Sequence, residues 1–212
     1  MWQRLSEAIE RAWRPAATPH RVHVDDALAA QSLSLAVARH LACRRPSPER
    51  VTIVCIGTDR STGDALGPLV GARLMETLQA ADVDVLGTLD EPVHAANLCE
   101  VLRRLEQAPD AARRTIVAVD ACLGKSESVG CITVKPGPLH PGAGVHKSLP
   151  PVGHFHIMGV VNVGGFMEYF VLQNTRLSLV MRMARVIADG LRLGVAQWRT
   201  LREAAATLPE NR

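Results

Sequence analysis

The spacing of apolar positions changes as the chain runs, and it predicts alternating helices and strands. Asp25 and Asp26 precede an Ala- and Leu-rich stretch from about Ala27 to Cys43, which reads as a helix with an acidic N-cap. Val51–Ile56 is a β-branched run closed at once by Gly57, as expected of a buried strand emptying into a loop. A helix from about Leu66 to Gln79, a strand at Val83–Leu86 and a helix from about His94 to Gln107 follow. Thr115–Val119 is a third strand ending at Asp120, Cys131–Val134 a fourth, and Ile157–Val163 a fifth beyond a Pro- and Gly-rich passage over 136–151. The last helix runs from about Phe170 to Leu193. Leu177, Val180, Met181, Ala184, Ala188 and Leu191 form its apolar face, and Ser178, Arg182, Arg185, Asp189 and Arg192 its wet face.

Strands alternating with helices predict an α/β domain, a three-layer α/β/α sandwich around a mostly parallel sheet. Three regions are expected: an N-terminal arm over 1–24 with a short helix near Leu5–Trp13, a single α/β domain over 25–194, and a C-terminal tail over 195–212, a shorter helix or a frayed end after Gly194. A charge-free run from Ser148 to Met167 reaches membrane length. Its prolines, four glycines, two histidines and Asn162 exclude a spanning helix.

Composition narrows the function classes. A chain of 212 residues with 47% apolar and 21% charged residues supports one packed core and excludes wholesale disorder. A net charge of +3 does not point to nucleic acid, and 3% aromatics leave few rings for stacking bases. The 21 arginines are scattered or in short pairs and read as solvated helix faces. Five cysteines without a CxxC spacing indicate neither a disulfide framework nor a zinc knuckle. The start MWQRLSEAIERAW has no secretory core, so the protein is expected in the cytoplasm, with no membrane partner.

In mostly parallel sheets ligands bind beyond the carboxyl ends of the strands. That directs attention to Asp64, in the loop after the first strand, and to Asp120, at the exit of the third. On neighbouring strands the two carboxylates share one crevice. One pKa then rises, and the pair holds a water between a base and an acid. The same pair could instead ligate a divalent metal that activates the water. Asp64 also suits a helix N-cap. Asp120 ends an apolar strand, where a carboxylate needs a partner or a solvated crevice. Asp59, with Arg60 beside it, and Asp90–Glu91 are further candidates for the crevice edge, or ordinary surface turns. The loop Gly57–Gly67 matches neither GxGxxG nor GxxxxGK[ST], so a phosphate cradle is unsupported. His140-Pro-Gly-Ala-Gly-Val-His146 could offer backbone N–H groups to a carbonyl or an imidazole to a metal; a rigid exposed loop is the alternative. His154 and His156 read as structural. The segment Gln173–Arg176 could cap the last helix or reach the crevice.

Four ordered segments then carry a resemblance: IGTDRSTGDALGP (56–68), AVDACLG (118–124), LHPGAGV (139–145) and LQNTRL (172–177). They look like those of the YyaC-type sporulation proteins of endospore-forming bacteria, over about residues 50–193. That family is similar to the germination protease, which degrades small acid-soluble spore proteins, and more distantly to the hydrogenase-maturation endopeptidases. The resemblance implies a phosphorylase/hydrolase-like fold. GDALGP places one member of the protease's catalytic aspartate pair on Asp64, and VDA places the other on Asp120. The HPGAGV segment implies substrate-binding roles for His140, Gly142 and Gly144, with Asp59 beside the pair. The endopeptidases' nickel ligands, two acids and a His, would fall on Asp64, Asp120 and His140. The function implied is a spore-associated endopeptidase acting on a protein or peptide inside the forespore or spore. The alternative is a non-catalytic sporulation accessory protein that binds peptides in the same crevice.

Overall fold

A computed structural model describes residues 19–44, 47–142 and 149–206. The elements are β1 (His20–His23), α1 (Ala29–Ala42), β2 (Arg50–Cys55), α2 (Leu66–Thr77), β3 (Val83–Leu86), α3 (Leu98–Glu106), β4 (Arg114–Gly124), β5 (Cys131–Pro136), β6 (Phe155–Val163), α4 (Glu168–Gln173) and α5 (Leu177–Ala206). The strands form one sheet in the order β1-β5-β6-β4-β2-β3. β2, β3, β4 and β6 are mutually parallel, and β5 runs antiparallel to both β6 and β1. The expected α/β class and mostly parallel sheet are therefore what is found.

Helices cover both faces. On one, α1, α2 and α5 pack a continuous core that includes Leu33, Val37, Leu66, Val70, Met183, Ile187 and Trp198. On the other, α3 and the segments around Leu139 and Val152 cover Val54, Ala118 and Ile56. The first face is the drier because α5 lies along α1 without a gap. A Cβ at Gly190 would meet the Leu33 side chain at 2.4 Å, and one at Gly194 the Ser34 carbonyl at 2.8 Å. Close approach of this kind needs small residues, so these two glycines serve packing rather than helix termination.

That packing corrects the tail expected after Gly194, since α5 continues unbroken to Ala206. The arm expected over 1–24 is also revised: His20–His23 pairs with β5, His20 opposite Val134 and His23 opposite Cys131. The rest of the arm, with the helix expected near Leu5–Trp13, lies outside the described residues. The helix expected from His94 begins at Leu98, behind a turn in which the Asn97 side chain accepts the His94 N–H at 2.8 Å. The last helix is two, α4 and α5; of the expected apolar face Val180, Ala184, Ala188 and Leu191 are buried, whereas Leu177 (57% exposed) and Met181 (46% exposed) face outward. Met183 and Ile187 take the buried positions instead. β6 occupies the run rejected as a spanning helix, and among the described residues no helix is long and apolar enough to cross a membrane. All five cysteines are free.

Candidate active site

β2 and β4 pair from Arg50 opposite Arg114 to Cys55 opposite Val119, and the Ile56 N–H still reaches the Val119 carbonyl at 2.7 Å. β2 then turns away while β4 continues beside β6 to Gly124. The sequence pattern ended this strand at Val119. The strand instead runs through Asp120, because β6 supplies ladder partners, Met158 opposite Asp120 and Gly159 opposite Ala121. Asp120 thus sits just beyond the parting of two neighbouring strands, where one side of β4 has lost its partner.

The loop from Gly57 to Ala65 brings the second acid there. Its backbone is tied down by four bonds: Gly57 N–H to the Val93 carbonyl at 2.8 Å, Thr58 N–H to the Asp64 carbonyl at 3.2 Å, Gly63 N–H to the Leu172 carbonyl at 2.8 Å and Ala65 N–H to the Ser61 carbonyl at 2.9 Å. Two glycines make the fold of this loop possible. Gly57, at φ +148°, leaves no room for a side chain, since a Cβ would lie 2.0 Å from the Asp64 carbonyl oxygen. A Cβ on Gly67 would lie 2.0 Å from that of Ile56, so the start of α2 rests directly on the end of β2. No side chain caps α2, whose N-cap position is Ala65. The capping role open to Asp64 is therefore not used.

Both acids are half-buried, and neither has a cationic partner among the described residues. Burial raises the Asp64 pKa above the ordinary carboxylate value, and the nearby Ser61 side chain offsets part of the rise. Burial pushes Asp120 up to about 8; the Ala121 N–H, donating to Oδ1 at 2.8 Å, opposes this, and the negative charge of Asp64 adds to it. Burial and the charge of Asp64 thus both favour a proton on Asp120 near neutral pH. Cys122 lies on the same face of β4. Burial, then the Asp120 charge, pushes its thiol up to about 11, so it is not a thiolate nucleophile at neutral pH.

The remaining candidates are placed as follows. Asp59 is exposed on the outer turn of the loop, and Arg60 turns to the Thr58 hydroxyl, 3.3 Å away, instead of pairing with it. Asp90 and Glu91 are exposed in the turn after β3. His140 is exposed and stands near His156, which is opposite Lys135 on β5. Gly142, at φ +74°, lies in the turn after His140, and Gly144 lies outside the described residues. His154 accepts the Ile116 N–H at 2.9 Å, and His156 bonds the Gly137 carbonyl at 2.9 Å, so both are structural. Among the described residues no three His, Cys, Asp or Glu side chains gather to hold a metal ion. The ligand set that the endopeptidase resemblance implies is thus not assembled around Asp64 and Asp120.

Two residues at this end, Ser61 and Asn162, were not singled out by the sequence. The Ser61 hydroxyl is buried beside Asp64 and makes no hydrogen bond of standard geometry. Asn162, near the end of β6, donates to the Thr175 hydroxyl at 3.3 Å, and Thr175 donates to the Val171 carbonyl at 2.9 Å. Leu172 packs with Thr175 where a Gly63 Cβ would stand. A polar Asn in an otherwise apolar strand was the available signal. Ser61 gave none beyond its place in the loop. Of the segment Gln173–Arg176, Thr175 is the residue that reaches inward.

A family model described as "Protein of unknown function (DUF1256)" matches residues 21–190. The "Uncharacterized protein YyaC" of Bacillus subtilis (strain 168) is 51% identical over 178 residues, covering 82% of this chain and 83% of that protein. The likeness expected from the four segments is thereby found, and the family match reaches back to take in β1 and α1. Among solved structures, the NiFe hydrogenase maturation protease HycI from Thermococcus kodakarensis KOD1 aligns at 20% identity with a TM-score of 0.44, over 69% of this chain and 94% of that one.

Proposed function

The chain belongs to the DUF1256 family, and for this member of it we propose an endopeptidase that uses Asp64 and Asp120 to activate a water. The observation that carries the reading is a pair of half-buried carboxylates with no cationic partner among the described residues, close enough for the charge of one to raise the pKa of the other. Such an arrangement is costly for stability and suited to proton transfer. It agrees with the aspartate pair that the germination-protease motifs imply.

Asp64 takes a proton from the water as its oxygen attacks the peptide carbonyl carbon. Asp120 delivers its proton to the carbonyl oxygen, giving a neutral tetrahedral diol. A proton then passes from Asp64 to the amide nitrogen, the C–N bond breaks, and the diol returns its proton to Asp120 as the new carboxyl forms. Backbone N–H groups of the glycine loop are poor candidates for steadying the oxyanion. Those of Gly57 and Gly63 already bond the Val93 and Leu172 carbonyls. The protonated Asp120 takes that task.

The substrate suggested by the motifs is a small acid-soluble spore protein, met in the forespore or spore interior. Incubation of the purified chain with such a protein, followed by mass spectrometry of new termini, tests the reading. Discrete cuts are expected from the wild type and none from Asp64→Asn or Asp120→Asn. Binding by the wild type without any cut would replace catalysis with peptide capture by an accessory protein.

A further inference from the structure

Ser61 is 7% exposed, and its hydroxyl oxygen is sealed from solvent with no hydrogen-bond partner of standard geometry. Among the described residues it is the one hydroxyl so placed. The equally buried Ser34 and Thr175 hydroxyls donate to the Gln31 and Val171 carbonyls, at 2.7 and 2.9 Å. A buried hydroxyl is rarely left unpaired, because the bonds it made to water are then replaced by nothing.

Ser61 opens the turn that carries Asp64. Its carbonyl accepts the Ala65 N–H at 2.9 Å, a bond one helical turn long, and such a turn sets residues 61 and 64 on one side. The Ser61 hydroxyl is the side-chain group that acts on the Asp64 carboxyl against the effect of burial. No cation shares that role. Asp120, facing from β4, is an acid, and Cys122 follows it on the same strand. Asp59 and Arg60 are exposed in the outer part of the loop. The residues that pack on the loop from α4, Leu172 and Thr175 just past it, are uncharged.

The two acids are served differently. One Asp120 oxygen accepts the Ala121 N–H at 2.8 Å. The Asp64 carboxylate accepts no hydrogen bond of standard geometry from the described residues, so a free donor and a free acceptor stand three positions apart. A serine hydroxyl rotates to suit its acceptor, and hydrogen bonds in a reaction site are often loose until the site is occupied. The hydroxyl is not itself a nucleophile, since an oxygen sealed from solvent cannot meet a substrate carbonyl.

We propose that Ser61 is the positioning residue of the acid pair: its hydroxyl donates to the Asp64 carboxylate, turns that group toward the water and leaves Asp120 to carry the proton. The purpose of this bond rests on the peptidase reading; its existence does not.

Carbon-13 NMR of the labelled protein tests it without any cleavage. The side-chain carboxyl carbon of Asp64, identified by its loss in Asp64→Asn, is followed as pH is varied. Ser61→Ala is expected to raise its midpoint by about half a pH unit or more. Ser61→Thr, which keeps the hydroxyl, should leave it at the wild-type value. Ser61→Cys keeps the volume with a weaker donor; it should raise the midpoint less, and it serves if the alanine variant does not fold. A wild-type midpoint in Ser61→Ala and Ser61→Cys, or an equal rise in Ser61→Ala and Ser61→Thr, overturns the proposal. With a spore protein as substrate, the acidic limb of kcat/KM should move up in Ser61→Ala by the same amount, at unchanged KM. If the midpoint rises in Ser61→Ala but wild-type protein cuts nothing, the positioning bond stands and the peptidase reading fails. If wild type cuts and Ser61→Ala moves neither the midpoint nor the acidic limb, the peptidase reading stands and the bond fails.

Discussion

β4 carries a charged residue at each end of the stretch that it shares with β2: Arg114 opposite Arg50, and six positions on, just past Val119, Asp120. At about 3.3 Å per residue they are roughly 20 Å apart. Arg114 has 10% of its side chain exposed, and two carboxylates hold its terminal nitrogens while its Nε is left without a hydrogen-bond partner. It donates to both Asp110 oxygens at 2.8 Å and to Asp84 and Thr52 at 2.5 Å. Arg50 joins the same two acids, at 2.8 Å from Asp84 and 3.2 Å from Asp110. The result at the amino end is a carboxyl, Asp110, held below the usual range by the Arg114 hydrogen bonds. At the other end the nearest charge acting on Asp120 is another carboxylate, and the pKa goes the opposite way. One strand thus shows both uses of a buried ion. Compensated, the carboxyl is held ionised; uncompensated, it holds a proton.

Asp120→Asn should separate the two ends most sharply. Cleavage should fall by about 10²–10⁴-fold. Stability at pH 7 should rise on the order of 2–3 kcal/mol, because the buried acid no longer resists ionisation. Urea denaturation beside a cleavage assay reads both; loss of both would remove the contrast.

Arg114→Met is the mirror test. Stability should drop by about 2–3 kcal/mol as Asp84 and Asp110 lose their partner. The cleavage rate per folded molecule should stay unchanged.

The pH dependence follows from the sign of the Asp120 shift. Native protein keeps a proton that the unfolded chain loses above about pH 4. The stabilising contribution of that proton is complete below that pH and is lost as pH rises to about 8. Denaturation midpoints measured from pH 4 to 9 should fall more steeply for wild type than for Asp120→Asn. Cleavage should decline as pH passes through about 8.

Gly57→Ala should cost about 1–3 kcal/mol and displace Asp64, because its Cβ would lie 2.0 Å from the Asp64 carbonyl oxygen. Cleavage should fall with it, by less than in the Asp→Asn variants. The smallest effect is expected from Glu100→Gln on the surface of α3. That change removes exposed pairs with Arg103 and Arg104 and should leave the melting temperature and cleavage within error of wild type.

Much of this was legible before the fold. Val51–Ile56 and Thr115–Val119 read as strands because continuous β-branched runs have few other uses, and their pairing put Asp64 and Asp120 at one end of the sheet. Other features were not legible, for a common reason. The four residues of β1 form a strand because β5 offers an open edge. β4 continues through Ala121–Gly124, which lacks a β-branched signal, because β6 runs beside it. Leu177 and Met181 fit the helical period of the buried face but lie at its edge, and the core takes in Met183 and Ile187 beside the expected Val180, Ala184, Ala188 and Leu191.

By itself the sequence determined the alternating α/β layers and the two strands, β2 and β4, that lead to the acids. These depend on local period and residue type, which the chain carries wherever it folds. Tertiary structure alone decided that Asp64 does not cap α2 and that Asp120 has no cationic partner among the described residues. Charge compensation and exposure are properties of what lies across space, and distant segments supply or withhold them.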